Sequence, residues 1–258
     1  MRRGLWDREM VALLLLLALL PLALAWLWFG GTGAAMRLGF TLVLSGGWHL
    51  FFMLARAQPP SFAGAVTALA VAMLAPPELA WWQMALGVSF GSVMAELVFG
   101  GWGRNVLNPA TVTLAFLGFA FPAAAWPDFV QPVIWAAIPA VAMGCLFGVM
   151  SFRLVLGALA VTALALLAGL PVAGILPAAL LCLALLATDP VASATTAAGR
   201  WLNGAAFAAL VVLFAVQWQG AAPVQAVVSA ALLASLLAPL FDEISIALWS
   251  ARRRRRHG

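Results

Sequence analysis

The sequence predicts an all-α, polytopic membrane protein with about ten transmembrane helices. Apolar residues make up 66% of the 258 residues and charged residues only 8%, whereas soluble domains carry roughly 25% charged residues. The apolar runs are long and rich in Ala and Leu, and they lack the alternating segments of about ten residues that outer-membrane barrels show. Because a spanning helix needs about 20 mostly apolar residues, we expect a single transmembrane domain over residues 1–258 and no soluble domain.

The predicted helices are the apolar runs between breaks that contain Gly, Pro or Arg. The first five lie near 10–29, 35–56, 63–76, 80–99 and 107–121. The second five lie near 131–150, 153–169, 172–187, 202–217 and 223–249. Ten spans fit best, and eight remain open if 63–76 and 172–187 are re-entrant segments.

The first apolar run has a second interpretation as a secretory signal, since Ala23-Leu24-Ala25 could mimic a cleavage site. The run is longer than a usual signal core, and Trp26 and Trp28 suit an interfacial belt. We therefore expect a retained first helix.

Arginine placement predicts the orientation. With the amino terminus inside, the basic residues on the cytoplasmic side include Arg56, Arg104, Arg153, Arg200 and Arg252–Arg256, and only Arg37 falls outside. We expect a bacterial inner-membrane protein with both termini cytoplasmic: a segment 1–9, a helical bundle 10–250 and a basic tail 251–258. At about 1 kcal/mol per Arg the tail could also bind anionic lipid, and we expect no nucleic-acid partner.

An internal echo suggests a 5+5 inverted repeat. The stretch that begins at Ala68 and runs through Pro76-Pro77 resembles the stretch that begins at Leu181 and runs through Asp189-Pro190. The first would lie at the end of helix three on the outer side and the second at the end of helix eight on the cytoplasmic side. An inverted repeat of this kind places a binding site near the midplane. The similarity is short and rich in Ala and Leu, so chance resemblance is the alternative.

Two polar loops interrupt the apolar pattern, at 100–110 and 187–194. The first reads Gly-Gly-Trp-Gly-Arg-Asn-Val-Leu-Asn-Pro-Ala and the second Ala-Thr-Asp-Pro-Val-Ala-Ser-Ala. Lipid cannot satisfy broken backbone, so such segments must be buried in protein or line a cavity. Paired breaks of this kind are a good indicator of a binding site in a membrane protein.

The side chains of these loops suit a planar heterocycle with several hydrogen-bonding edges, such as an isoalloxazine. If Asn105 and Asn108 both lie on the first turn of helix five, they share a face, and the helix start offers free N–H groups. Asp189 supplies a carboxylate, followed by the hydroxyl of Ser193 and those of Thr195 and Thr196. The alternative is that both loops are capped turns, with Asn108 as an N-cap and Asp189 as a turn residue.

Other polar and aromatic residues have two interpretations each. Glu96 is an ion or proton site by its place in the membrane, or a residue paired with Arg104 or Arg200. His49 favours a packing or helix-contact role, and a single intramembrane His does not support a b-type haem. Trp102 and Trp201 could stack on a flavin or face lipid. Cys145 and Cys182 are expected to be buried apolar residues without a metal or disulfide.

Four segments together resemble the NqrB/RnfD family, which contains the B subunit of sodium-pumping NADH:quinone oxidoreductase and the D subunit of the Rnf complex. The run Phe99–Ala110 resembles the family's F-G-G-x-G-x-N-x-x-N-P-A signature, and Ala187–Ala194 is similar to its A-T-D-P-V-S-A signature. Gly64–Thr67 resembles part of its third helix and Ala238–Asp242 part of its last. The resemblance runs from about residue 60 to 243.

This resemblance implies a ten-helix, flavin-carrying electron-transfer subunit of a larger redox complex. The implied partners are other membrane and extracytoplasmic redox subunits, with quinone as a further candidate. The resemblance also implies a non-covalent flavin, riboflavin or FMN, near the two loops, and it leaves coupling to ion translocation open. The residues expected to bind the flavin are Gly100, Gly101, Gly103, Asn105, Asn108, Thr67, Thr188, Asp189 and Ser193. The alternative function is a solute or ion transporter on the same scaffold without redox activity.

The chain departs from the family at two positions. Relatives attach a second flavin, FMN, to a Thr in an outer loop, whereas the corresponding loop 121–132 contains no Ser or Thr. We therefore expect no covalent FMN. Glu96 stands where relatives usually have a Lys.

Overall fold

A computed structural model of the chain describes residues 7–56, 61–218 and 220–257, with the side chains of residues 252 and 254–257 left out of the description. All regular structure in these ranges is helical, which confirms the predicted fold class. The α-helices are α1 (Arg8–Arg56), α2 (Ala63–Leu74), α3 (Trp81–Gly91), α4 (Pro109–Ala120), α5 (Gln131–Leu146), α6 (Phe152–Leu167), α7 (Leu176–Cys182), α8 (Ala197–Gln217) and α9 (Pro223–His257). Four apolar helical stretches are long enough to cross a membrane: Arg8–Arg56, Trp81–Phe99, Ala197–Gln217 and Pro223–Ala251.

The long helix α1 is a hairpin that combines the first two predicted spans. Gly31 interrupts it with non-helical angles (φ 58°, ψ −145°). At its start Arg8 donates to the carbonyl of Trp102 (3.2 Å), and at its end Arg56 donates to the carbonyl of Val98 (3.4 Å). Since a straight helix of 49 residues would be about 73 Å long, both ends can reach this one segment only if the chain reverses at Gly31.

Two of the predicted spans end in altered helical turns. After α3 the chain continues as a π-helical turn (Ser92–Glu96) and a 3₁₀ turn (Leu97–Phe99). The predicted span 172–187 consists of a 3₁₀ turn (Ala173–Ile175), α7 and a π-helical turn (Leu183–Ala187). π-Helical turns are frequent at functional sites, and here each one leads into one of the two polar loops.

The predicted start of the ninth span, residue 202, is wrong by five residues. Helix α8 begins at Ala197 because the Thr196 hydroxyl accepts a hydrogen bond from the N–H of Gly199 (3.0 Å) and caps the helix. The sequence contains the signal for this earlier start, since Thr is a favourable N-cap residue and stands directly before Ala-Ala-Gly.

Arg37 lies at the opposite end of the bundle from Arg8 and Arg56. Helix α2 has 12 residues and is about 18 Å long, shorter than a hydrocarbon core of about 30 Å, so its last carbonyls need partners other than water. Arg37 supplies them by donating to the carbonyls of Ala72 (3.3 Å), Ala75 (2.7 Å) and Pro76 (3.1 Å). The end that carries Arg37 is therefore separate from the end that carries Arg8, Arg56 and Arg104, as the arginine pattern predicts.

Some helix contacts of the first half resemble contacts of the second. Helix α4 packs on α2 and α3, and α9 packs on α7 and α8. Across the halves α1 packs on α5 and α4 packs on α9. The five-plus-five repeat stays a prediction.

Helices α6 and α8 cross closely near their starts because glycines remove side chains from the contact. A Cβ built on Gly204 would overlap the backbone carbonyl of Leu154, and one on Gly157 would come within 2.5 Å of the carbonyl of Trp201. Small residues at such crossings let helix backbones approach in membranes.

Candidate functional site

The two polar loops meet in the folded protein. The side-chain amide of Asn108 donates a hydrogen bond of 2.7 Å to Oδ2 of Asp189, across 81 residues of sequence. Both side chains lie where helices are interrupted, and both are largely enclosed by protein. The prediction that the loops lie at the same end of the bundle is confirmed by this contact.

The first loop is folded by glycines and by Asn105. Gly100, Gly101 and Gly103 all have positive φ (107°, 89° and 91°), a region that glycine enters without strain. The Asn105 Oδ1 accepts from the N–H of Gly103, and its amide donates to the carbonyl of Leu107, both at 3.0 Å. Asn105 therefore holds the loop in shape.

The expected shared helical face of Asn105 and Asn108 is wrong. Helix α4 begins at Pro109, so Asn105 lies outside it. Asn108 is the N-cap: its Oδ1 accepts from the N–H of Thr111 at 3.1 Å, with Pro109 at the first helical position. The capping interpretation of Asn108 is confirmed, and the same side chain still uses its amide nitrogen to hold Asp189.

The second loop positions a half-buried carboxylate between two donors. Asp189 Oδ1 accepts from the N–H of Val191 (3.0 Å), while Oδ2 accepts from Asn108. Thr188 donates to the carbonyl of Ala184 (3.3 Å). Burial raises the pKa of Asp189 to about 6, although the hydrogen bonds from Val191 and Asn108 act in the opposite direction.

A cavity opens beside this junction. Its empty space, including its mouth, is about 380 Å³. Its walls come from the first arm of α1, from α2, from the start of α4 and from the second loop. The lining residues are Leu15, Leu19, Ala63, Val66, Thr67, Trp102, Asn108, Pro109, Ala184, Leu185, Thr188 and Asp189.

The structure brings together some of the predicted site residues and separates others from the cavity. Those that line it are Thr67, Trp102, Asn108, Thr188 and Asp189. Those that do not are Gly100, Gly101, Gly103, Asn105 and Ser193. Trp201 is also outside the lining and is 42% exposed. The second group shapes the two loops or flanks them.

Asp242 is a residue that sequence reasoning left without a role. It accepts hydrogen bonds from the N–H and hydroxyl groups of both Thr195 and Thr196, at 2.6–2.8 Å. Thr195 and Thr196 were expected to contribute to the polar site, and instead they fasten the second loop to α9. The signal available in the sequence was the resemblance of Ala238–Asp242 to a family segment.

The alternative that pairs Glu96 with Arg104 or Arg200 is wrong, because its partner is His49, and the helix-contact role predicted for His49 is confirmed. Glu96 lies at the end of the π-helical turn and is 1% exposed. Its Oε1 is 3.1 Å from Nε2 of His49 in the second arm of α1. No sequence spacing links these residues, which are 47 positions apart.

Comparison with known families gives one match over most of the chain. The model of the NQR2, RnfD, RnfE family matches residues 6–173. The matched range includes α1 through α6 and the first polar loop, and it ends before the second.

Curated relatives match a shorter part. The B subunit of the Na(+)-translocating NADH-quinone reductase from Klebsiella pneumoniae is 42% identical over 95 residues, which is 37% of this chain and 22% of that protein. The corresponding B subunit from Stutzerimonas stutzeri is 39% identical over 98 residues, 38% of this chain and 23% of that protein. The aligned stretch thus covers less than a quarter of either relative.

Proposed function

The chain belongs to the NQR2, RnfD, RnfE family, and from that membership we propose that it is the membrane electron-transfer subunit of an Nqr/Rnf-like redox complex that holds a flavin without a covalent bond. The relatives are named as subunits of a NADH-quinone reductase, so quinone and further redox subunits are the proposed partners. Its proposed location is the bacterial inner membrane, with both termini cytoplasmic.

The observation that carries this proposal is the junction of the two loops beside the cavity. A flavin ring combines two extended faces with one edge of hydrogen-bonding groups. The cavity offers the aromatic side chain of Trp102 and several leucines for the faces. It offers the hydroxyls of Thr67 and Thr188 and the Asn108–Asp189 pair for the edge. These residue types fit the group.

A bound flavin ring would have to displace side chains that now fill this space. The part of the cavity wide enough for a water-sized sphere is about 20 Å³, which is room for about one water molecule. Leu15, Leu19 and Leu185 line it and are the side chains that a ring would displace.

A bound flavin would supply one- and two-electron redox chemistry at this position. The protein's own residues would hold its polar edge through Thr67, Thr188 and Asn108 and exclude bulk water through the leucines. Asp189, held by Asn108, would place a carboxylate at that edge. Loop 121–132 contains no Ser or Thr, so it offers no hydroxyl to which a second flavin could be attached.

The test is the optical spectrum of the purified full-length chain in detergent. We expect flavin absorption with up to one flavin per chain, released into the supernatant by acid. On a denaturing gel the protein band should carry no flavin fluorescence. A fluorescent band would contradict non-covalent binding. A colourless preparation that takes up neither riboflavin nor FMN would instead favour a transporter on this scaffold.

A further inference from the structure

His49 and Glu96 form a buried acid–base pair that the proposed flavin site does not use. Both lie in helical stretches that can span a membrane. Their side chains are 12% and 1% exposed. Ionisable groups in such positions are costly to keep and are functional-site candidates.

The hydrogen-bond geometry fixes how many protons the pair holds. Nδ1 of His49 lies 2.9 Å from the carbonyl oxygen of Ser45. A carbonyl can only accept, so Nδ1 must carry a proton. At 3.1 Å the contact between Nε2 and Glu96 Oε1 also requires a proton between the two atoms, because otherwise two lone pairs would face each other.

It follows that the pair carries one proton beyond the Nδ1–H. The proton resides either on Nε2, giving an imidazolium and a carboxylate, or on Oε1, giving two neutral groups. In both forms the pair has no net charge. Loss of the proton would leave an uncompensated carboxylate in a buried position, which is strongly unfavourable.

We propose that His49 and Glu96 form a proton-binding site inside the membrane bundle, in which one exchangeable proton is held between Nε2 and Oε1. The ligand of this site is a proton, and the site is separate from the flavin cavity. This inference does not depend on whether a flavin binds.

The oxygens around the pair favour exchange of the shared proton over a permanent structural ion pair. The second oxygen of Glu96 is buried and has no hydrogen-bond partner among the described residues, and the same holds for the hydroxyls of Ser92 and Thr113. Ser92 lies one turn before Glu96, and Thr113 packs against Gly91. Unsatisfied buried oxygens are groups that still need a hydrogen-bond donor.

Two further acids lie close enough to interact electrostatically with the pair. Glu9 acts electrostatically on His49, and Glu96 interacts with Asp189. Both neighbours are acids, so a proton on the pair lowers the local negative charge. From the side of α2, Gly64 leaves room for the ring: a Cβ there would come within 2.7 Å of His49 Cε1.

The experiment uses the fact that the chain has two histidines. His257→Gln leaves His49 as the single His of the full-length protein. We would label it with ¹⁵N-histidine, place the protein in lipid nanodiscs, and titrate with ¹⁵N NMR of the ring and infrared spectroscopy of carboxylic acids. The matched comparison is Glu96→Gln in the same background, whose amide can donate to an unprotonated Nε2.

We expect Nδ1 to stay protonated throughout. At neutral pH the parent protein should show the additional proton in one of two places. It lies either on Nε2, in the ¹⁵N spectrum, or on Glu96, as a carboxylic-acid infrared band that Glu96→Gln removes. The Glu96→Gln protein should bind one proton fewer per chain, whereas Glu78→Gln, at an exposed position outside the helices, should match the parent.

Three results would overturn the proposal. One is an unprotonated Nδ1, and another is a bare Nε2 beside an ionised Glu96 at neutral pH. The third is loss of the proton on adding NaCl but not choline chloride of equal ionic strength, which would assign the site to a metal cation. The parent spectrum decides the first two even if Glu96→Gln does not fold.

Discussion

Asn108 bonds to both loops with a single side-chain amide. Its oxygen caps α4 and its nitrogen holds Asp189. The position of the carboxylate is therefore tied to the start of a helix in the other half of the chain. A change at Asn108 would alter both the helix and the cavity edge, so Asp189 is the more informative position to change.

Asp189→Ala is expected to lower flavin occupancy. The substitution removes one acceptor at the cavity edge and leaves the Asn108 amide without its partner. Loss of such a buried hydrogen bond costs about 1–3 kcal/mol, or roughly 5- to 150-fold in affinity. Flavin content per chain, measured after acid release over a range of added flavin, gives the result.

Two further variants serve as controls for this prediction. Asp128→Ala changes an acid away from both loops and should leave flavin content as it is. Asn105→Ala should reduce binding less than Asp189→Ala, because the Asn105 amide contacts only its own loop. Unchanged occupancy in a folded Asp189→Ala protein would place the flavin elsewhere.

The candidate site was partly predictable at this scale. The two loops were visible because Gly, Asn, Asp and Pro interrupt apolar runs, and lipid does not tolerate free backbone. The pairing of Glu96 with His49, and of Asp242 with Thr195 and Thr196, was not visible. Such pairs depend on how distant helices pack, and no local spacing encodes that.

The close crossing of α6 and α8 depends on glycine, which has no side chain. Gly204 of α8 lies against the backbone of Leu154 in α6, so α6 and α8 approach at the distance set by their main chains. Any added atom must push the helices apart.

Gly204→Ala is expected to destabilise the protein by about 1–3 kcal/mol, the usual cost of overpacking. The measurement is the thermal unfolding midpoint in detergent. Gly46→Ala is the matched control, since a Cβ at Gly46 meets nothing within 4 Å, and it should be neutral or stabilising by about 0.5–1 kcal/mol. Equal midpoints for the two variants would show that the α6–α8 crossing is looser than the structure gives.

Arg37 stabilises the end of the short helix α2 by donating to one carbonyl of its last turn and to two just beyond it. Arg37→Met should lower the free energy of unfolding by about 1.5–3 kcal/mol, because three carbonyls lose a charged donor. Arg153→Met is the comparison, as that guanidinium lies over the exposed ring of Phe152 and should matter less. A larger loss for Arg153→Met would contradict the capping role.

Element boundaries followed the sequence where a cap or a proline fixes them, as at Pro109 and Gln131. The break that Gly30, Gly31 and Gly33 predict between the first two spans is also present, because Gly31 interrupts α1 with non-helical angles. The start of α8 departed from the prediction, since the Thr196 cap places it at Ala197.

At the scale of the whole molecule the arginines separate the two ends of the bundle. Arg8, Arg56 and Arg104 lie at or next to the segment 98–104, and Arg37 lies with Pro76 at the other end. The positive-inside rule then predicts that the end with the polar loops faces the cytoplasm. The predicted lipid contact of Arg252–Arg256 falls largely on side chains outside the described ones, as do Arg2 and Arg3.

Cysteine labelling tests this orientation. In a Cys145→Ala, Cys182→Ala background, Glu78→Cys should react with a membrane-impermeant maleimide in intact cells with a permeabilised outer membrane. Arg104→Cys should react only after the inner membrane is opened. The reverse pattern would invert the predicted topology, and reaction at both sites in intact cells would contradict the separation of the two ends.

The reversal of α1 at Gly31 also bears on biogenesis. The two arms leave the ribosome before α2–α9, since synthesis proceeds from the amino terminus. Because both ends of the hairpin return to the same side, the arms can enter the bilayer together as one loop, and neither Arg8 nor Arg56 has to be translocated. The two arms of α1 are then already in the bilayer when the later helices are made. Helix α5 packs on α1, so its packing surface is present before α5 is synthesised.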